Sequence, residues 1–231
     1  MIIGILQTDS VMDRFRTDFG DYPQMFGQLL QGAASRDIAF RVVDCQAMDY
    51  PAPDSCDAYI ITGSRNSVYE DELWIKALAE FVDKLLAARR KLVGICFGHQ
   101  LVAHFFGGRT RAVGWAVGVQ QCTVVENASW MRPSLTDFAL LSSHKDQVVE
   151  LPAGARLLIS SEFCPVSGYA IGDQVFTLQG HPEFSKPYSR ELMTMRRELL
   201  GTETFERGIE SLTQETHEPE VAQWIANFIN Q

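Results

Sequence analysis

Three side chains of this 231-residue sequence have the types that thiol-based acyl transfer needs: Cys96, His181 and Glu183. Cys96 follows an apolar run, residues 91–95, and two residues later Gly98 opens an amphipathic helix read over 98–106. A strand turning sharply into a helix exposes the residue at the turn. Gly94 and Gly98 relieve crowding on either side, giving the Gly-x-Cys-x-Gly form of a nucleophile elbow. The helix N-terminus beyond the thiol favours thiolate over thiol and offers backbone N–H groups to an oxyanion. A cysteine at a strand end commonly serves only as packing, so the second segment matters: Thr177-Leu178-Gln179-Gly180-His181-Pro182-Glu183-Phe184. Here an apolar strand ends near a histidine, the general base a cysteine nucleophile requires. The carboxylate two residues on can fix its tautomer and stabilise the imidazolium. His99, in the motif behind the elbow, and His104, on an apolar helix face, are read as structural.

These groups converge only if the surrounding elements place them at one sheet edge. Residues 1–7, 38–44, 57–62 and 91–95 read as strands, with Phe40, Val42 and Val43 the apolar members of the second. Helices are expected over 23–35 and over 70–90, the latter with Leu73, Ala77, Phe81 and Leu85 at helical spacing. Alternating strands and helices imply βαβ units, and so a flavodoxin-like α/β fold: an open, mostly parallel sheet with helices on both faces. The C-terminal strand ends of such a sheet line a single crevice. After Gly107-Gly108 come short apolar runs at 115–126, 138–142, 155–160, 166–171 and 174–179, read as antiparallel hairpins appended to the main sheet. Helix returns from Pro187, ending in one over 219–228 with Val221, Trp224, Ile225 and Phe228 on one face. With no repeat, linker or low-complexity tract, residues 1–231 are expected to form one domain.

The net charge of −9 and pI near 5.0 exclude nucleic acid as a main partner, because phosphate binding needs a basic face. Five cysteines, at 45, 56, 96, 122 and 164, contain no Cys-x-x-Cys pair. They read as reduced thiols in a cytoplasmic protein, with neither a disulfide framework nor a zinc site. The N-terminal apolar run is too short for a signal segment and has no cleavage site, and no membrane span is expected. No metal and no organic cofactor is indicated. Cys164, beside Pro165, reads as packing, and core filling is expected for Trp115, Trp130 and Met131. Residues 127–137 and 163–165 are expected to shape the substrate pocket.

Gly94-Ile95-Cys96-Phe97-Gly98-His99-Gln100 together with Gln179-Gly180-His181-Pro182-Glu183 resembles the signatures of the class I, triad-type glutamine amidotransferases. The resemblance implies hydrolysis of a γ-glutamyl amide, with Cys96 as nucleophile, His181 as base then acid, and Glu183 as its partner. It also implies an oxyanion hole from the N–H groups of Phe97 and of the Gly63-Ser64 turn, in Thr62-Gly63-Ser64. Gln100 matches a family position that contacts glutamine. His144, in Ser142-Ser143-His144-Lys145-Asp146, matches a segment over the substrate carboxylate and amine; a solvent-facing loop histidine is the other reading. The form Thr62-Gly63-Ser64-Arg65-Asn66-Ser67 departs from the paired glycines of biosynthetic members. With Arg111-Ala112-Val113-Gly114-Trp115 and Ser143-His144-Lys145-Asp146-Gln147-Val148, it is similar to stand-alone members related to the glutaminase domain of GMP synthase, some of them γ-glutamyl peptidases. The 231 residues leave no room for an ATP-binding synthase domain and show no phosphate loop. Three readings follow: a stand-alone hydrolase of glutamine or a γ-glutamyl peptide, a glutaminase subunit passing ammonia to a separate synthase, and a redox-sensing or binding protein on the same fold. Reaction with a glutamine-mimicking affinity label separates the first two from the third.

Overall fold

The computed structural model describes residues 1–33 and 37–231. The first half alternates strand and helix as the apolar runs require: β1 (Ile2–Gln7), α1 (Asp13–Phe19), α2 (Tyr22–Ala33), β2 (Ala39–Asp44), β3 (Ala58–Ile61), α3 (Leu73–Ala87), β4 (Lys91–Ile95) and α4 (Phe97–Phe105). The expected helix to Ser35 is present as α2; Ser35 itself lies outside the described residues. Helix α1 lies in the polar stretch between the first strand and the expected helix over 23–35. The second half carries β5 (Arg109–Val124), β6 (Asp137–Glu150), β7 (Ala155–Ser160), β8 (Gly168–Ile171) and β9 (Val175–Leu178). Four helices close the chain: α5 (Lys186–Met195), α6 (Arg197–Leu200), α7 (Thr202–Ser211) and α8 (Glu218–Ile229).

All nine strands join one sheet in the order β2-β1-β3-β4-β9-β8-β7-β5-β6. Strands β2, β1, β3, β4 and β9 run parallel, and β8, β7, β5 and β6 continue antiparallel. This corrects one expectation. The last apolar run belongs to no appended hairpin alone: β9 also pairs in parallel with β4, with Ile95 opposite Leu178. The sheet then curls until β6 meets the chain just past β9, where the His181 N–H donates to the Leu141 carbonyl at 2.8 Å.

Both faces of the parallel half are covered, which is why β1, β3 and β4 are nearly continuous apolar runs. Alternation decides the face: Ile3, Ile5 and Ile60 pack with Phe26, Leu30 and Trp224 of α2 and α8. Leu6, Tyr59 and Ile61 pack with Leu78, Phe81 and Leu101 of α3 and α4. The α8 stripe is as expected, with Val221, Trp224, Ile225 and Phe228 all fully buried. Of the α3 stripe read, Phe81 and Leu85 are buried as expected; Trp74, Ile75, Leu78 and Val82 complete it, while Leu73 is 72% exposed. In edge strand β2 only Val43 is buried, and Val42 faces solvent.

Candidate active site

The peptide after β4 cannot leave the sheet gently, because α4 begins at once. A Cβ on Gly94 would lie 2.7 Å from the carbonyl carbon of Gly98, and one on Gly98 would lie 2.7 Å from Ile61 Cβ. Both glycines are therefore required by the close approach of the helix to β4 and β3. Between them Cys96 adopts φ 50°, ψ −97°, a left-handed backbone that costs on the order of 1–3 kcal/mol at a non-glycine residue. Such strain persists where the surroundings fix it, and here the Cys96 N–H is held by Leu178 O at 2.8 Å. The thiol stands at the α4 N-terminus, the positive end of the helix dipole.

The neighbouring strand brings the base. His181 Nδ1 and Glu183 Oε1 are 2.7 Å apart, both side chains being buried. Glu183 Oε2 has no other partner among the described residues, so the carboxylate acts on the imidazole alone. Burial by itself would lower the His181 pKa; the charges of Glu183 and Cys96 outweigh it and raise it above the usual histidine range. The Phe184 ring stacks on the imidazole, centroids 3.9 Å apart and planes 15° apart, and shields it from water. Gly63, at the end of β3, fits between the two groups. A Cβ there would lie 2.9 Å from His181 Cε1 and 3.7 Å from Cys96 Cβ. Cys96, His181 and Glu183 are thus brought together, with Gly63 and Ser64 opposite.

Thr8, just past β1, was not singled out in the sequence. Its buried hydroxyl donates to Gly63 O at 2.8 Å. In a trans peptide the following N–H, that of Ser64, then points the opposite way, toward the recess that Ser64 lines with Cys96. The Phe97 N–H belongs to the first turn of α4, where helices leave donors free. Gln100 braces the site: its amide donates to Asp146 O at 2.8 Å and to Gln179 Oε1 at 3.1 Å, so only its oxygen remains for a ligand. His144 is no solvent-facing loop residue. It lies buried in β6 beside the Gln100 end of the site, with Nδ1 3.1 Å from Asp146 O. His99 is structural, as read, held by Thr177 Oγ1 at 2.9 Å and Val166 O at 3.1 Å.

The walls differ from those expected. The main recess, about 200 Å³, is formed by the segment after β1, by α2 and by α5 through Met12, Tyr22, Tyr188 and Leu192. Residues 127–137 instead pack away from it: Trp130 and Met131 are core residues, with Trp130 against Phe176 and Phe228. Phe163 and Cys164 line a smaller cleft behind the site, and Cys164 is buried. Trp115 is half-buried at the mouth, next to Arg196. All five cysteines are free, and among the described residues no group of three His, Cys, Asp or Glu side chains is placed to hold a metal. No helix described is long and apolar enough to cross a membrane.

The family model "Glutamine amidotransferase class-I" matches residues 17–196. This chain belongs to the class I glutamine amidotransferases. It is 33% identical over 216 residues to gamma-glutamyl peptidase 3 of Arabidopsis thaliana, covering 89% of this chain and 86% of that protein. It is also 34% identical over 138 residues to the glutamine-hydrolysing GMP synthase of Listeria innocua, a match covering 58% of this chain and 26% of the synthase. In fold the amidotransferase resembles the crystal structure of a glutamine amidotransferase from Thermotoga maritima, with TM-score 0.73, 19% identity and 99% of both chains covered. The curled nine-stranded sheet is thus that of the family. Its elbow cysteine and His-Pro-Glu segment are the residues by which the sequence resembles it.

Proposed function

We propose that this amidotransferase-like chain, acting as one unit over residues 1–231, hydrolyses γ-glutamyl amide bonds through a thioester on Cys96. His181 takes the thiol proton and Sγ attacks the γ-carbonyl carbon. The N–H groups of Phe97 and of the Gly63-Ser64 turn receive the oxyanion; one such donor is typically worth about 100- to 1000-fold in rate. The tetrahedral species collapses with cleavage of C–N as the imidazolium protonates the departing nitrogen. Water, deprotonated by His181, then attacks the thioester, releasing glutamate and restoring the thiol. Gln100 and His144 hold the glutamyl group. No metal or organic cofactor enters any step.

The observation that carries this reading is a cysteine held at a left-handed elbow beside an imidazole that is paired through Nδ1 with a buried carboxylate. The likeness to a gamma-glutamyl peptidase over most of both chains supports a substrate larger than glutamine. A second reading is favoured by the match to a GMP synthase: a glutaminase subunit that passes ammonia to a synthase. Five free thiols suit the reducing cytoplasm, where we place the protein. The test is glutamate release by the purified chain from glutamine, glutathione and simple γ-glutamyl dipeptides. We expect rapid cleavage of the peptides and a loss of about 10⁴-fold or more in Cys96→Ala, with an unchanged melting temperature. Slow cleavage of glutamine alone, stimulated by a synthase, supports the second reading. Full activity in Cys96→Ala overturns both.

A further inference from the structure

Two recesses meet at Cys96. The smaller, about 50 Å³, is walled by polar groups including Asn66, Gln100, His144 and Asp146. The larger, about 200 Å³, contains His181 and the apolar side chains of Met12, Leu192 and Met195. This inference rests on the hydrolytic reading, in which the general acid must stand beside the departing nitrogen. His181 lines the larger recess and not the smaller. The departing group therefore occupies the larger recess and the glutamyl group the smaller.

The charges in the larger recess are Asp9, Arg65 and Arg196, and both arginines also reach the smaller one. Asp9 and Arg65 neutralise each other in a two-point contact, both N–O distances being 2.7 Å. Arg196 has no carboxylate within 4 Å among the described residues. It is half-buried at the junction of α5 and α6, and it is held in place. Its Nη1 donates to Ser143 Oγ at 2.9 Å, and its guanidinium carbon lies 5.6 Å from the Trp115 ring centroid. A fixed, uncompensated guanidinium with donors to spare matches a carboxylate in charge and geometry. Arg196 stands where the two recesses join, whereas Lys145, exposed on the rim, lines the smaller recess alone.

We propose that Arg196 binds the free carboxylate of the amino acid that leaves, making it the residue that selects γ-glutamyl peptides over glutamine and over γ-glutamyl amides. The test compares kcat/KM for γ-glutamyl-alanine and γ-glutamyl-alaninamide in the wild type, Arg196→Lys and Arg196→Gln. The expected acid-over-amide ratio is about 10- to 100-fold in the wild type, the worth of a charge-assisted contact. It collapses toward one in Arg196→Gln and is intermediate in Arg196→Lys, which keeps the charge without the fork. A wild type with no preference for the acid overturns the assignment. So does an equal loss on both substrates in Arg196→Gln, which makes Arg196 a reader of the glutamyl carboxylate. Failure of the wild type to release glutamate from any γ-glutamyl compound is a different result, because it removes the hydrolytic reading itself.

Discussion

At the scale of single residues, the site depends on where charge is left uncompensated. Glu183 is the clearest case: its side chain is fully buried, one oxygen meets His181 and the other meets nothing. A buried carboxylate with so little hydrogen bonding is costly, and only the imidazolium repays it. Glu183→Gln keeps the shape and loses the charge, so His181 no longer favours the protonated form. Steady-state turnover should fall about 100-fold, less than in Cys96→Ala because the base survives. A turnover equal to the wild type's would remove Glu183 from the mechanism. Cys96, His181 and Glu183 were all legible in the sequence, since each is announced by neighbouring glycine or proline. Thr8 was not. Its hydroxyl matters only because β1 and β3 lie side by side, 54 residues apart in the chain.

At the scale of elements, the elbow is a packing contact before it is a catalytic one. Helix α4 starts so close to β3 that Gly98→Ala would press a methyl group to 2.7 Å from Ile61 Cβ and 2.9 Å from Ile61 O. Backbone cannot step aside as a side-chain tip can. Overpacking of this kind costs about 1–3 kcal/mol, which urea unfolding should register. Activity should fall further than stability, because the helix start carries the Phe97 N–H. The apolar runs of β1, β3 and β4 were readable because both faces are covered. Strand β9 was recognised, but its place beside β4 was not, since a four-residue run does not name its neighbour. The α3 stripe was read correctly at Phe81 and Leu85 and wrongly at its start: Leu73 and Trp74 are both apolar, and only the packing of Trp74 on Phe97 decides between them. The pocket walls were missed for a related reason, because the segment after β1, α2 and α5 reach the site from distant parts of the sequence.

Across the whole molecule, two histidines set the response to acid. His99 and His144 are buried, and burial lowers the pKa of each to about 3. In the unfolded chain each takes up a proton near 6.5. The neutral histidines therefore contribute their full stability above pH 6.5, and it is lost as pH falls toward 3. Each is worth about 1.4 kcal/mol per pH unit across that window. His99→Gln should make the acid limb of unfolding free energy against pH shallower by about that amount, measured by urea denaturation at a series of pH values. An unchanged slope would show that His99 is protonated in the native state. The sheet that buries these rings is the feature least visible beforehand: alternation gave its strands, but not its curl.

That curl has a consequence for the order in which the molecule is made. The elbow's own residues are all present by about the hundredth position, yet the base lies 85 positions beyond Cys96. The base is pinned only when β6 has come round to offer the Leu141 carbonyl to the His181 N–H. A chain that has emerged only as far as α4 carries the thiol without the His181 imidazole beside it. Hydrolytic competence therefore waits for the last strand, and the triad exists only once the protein is topologically finished.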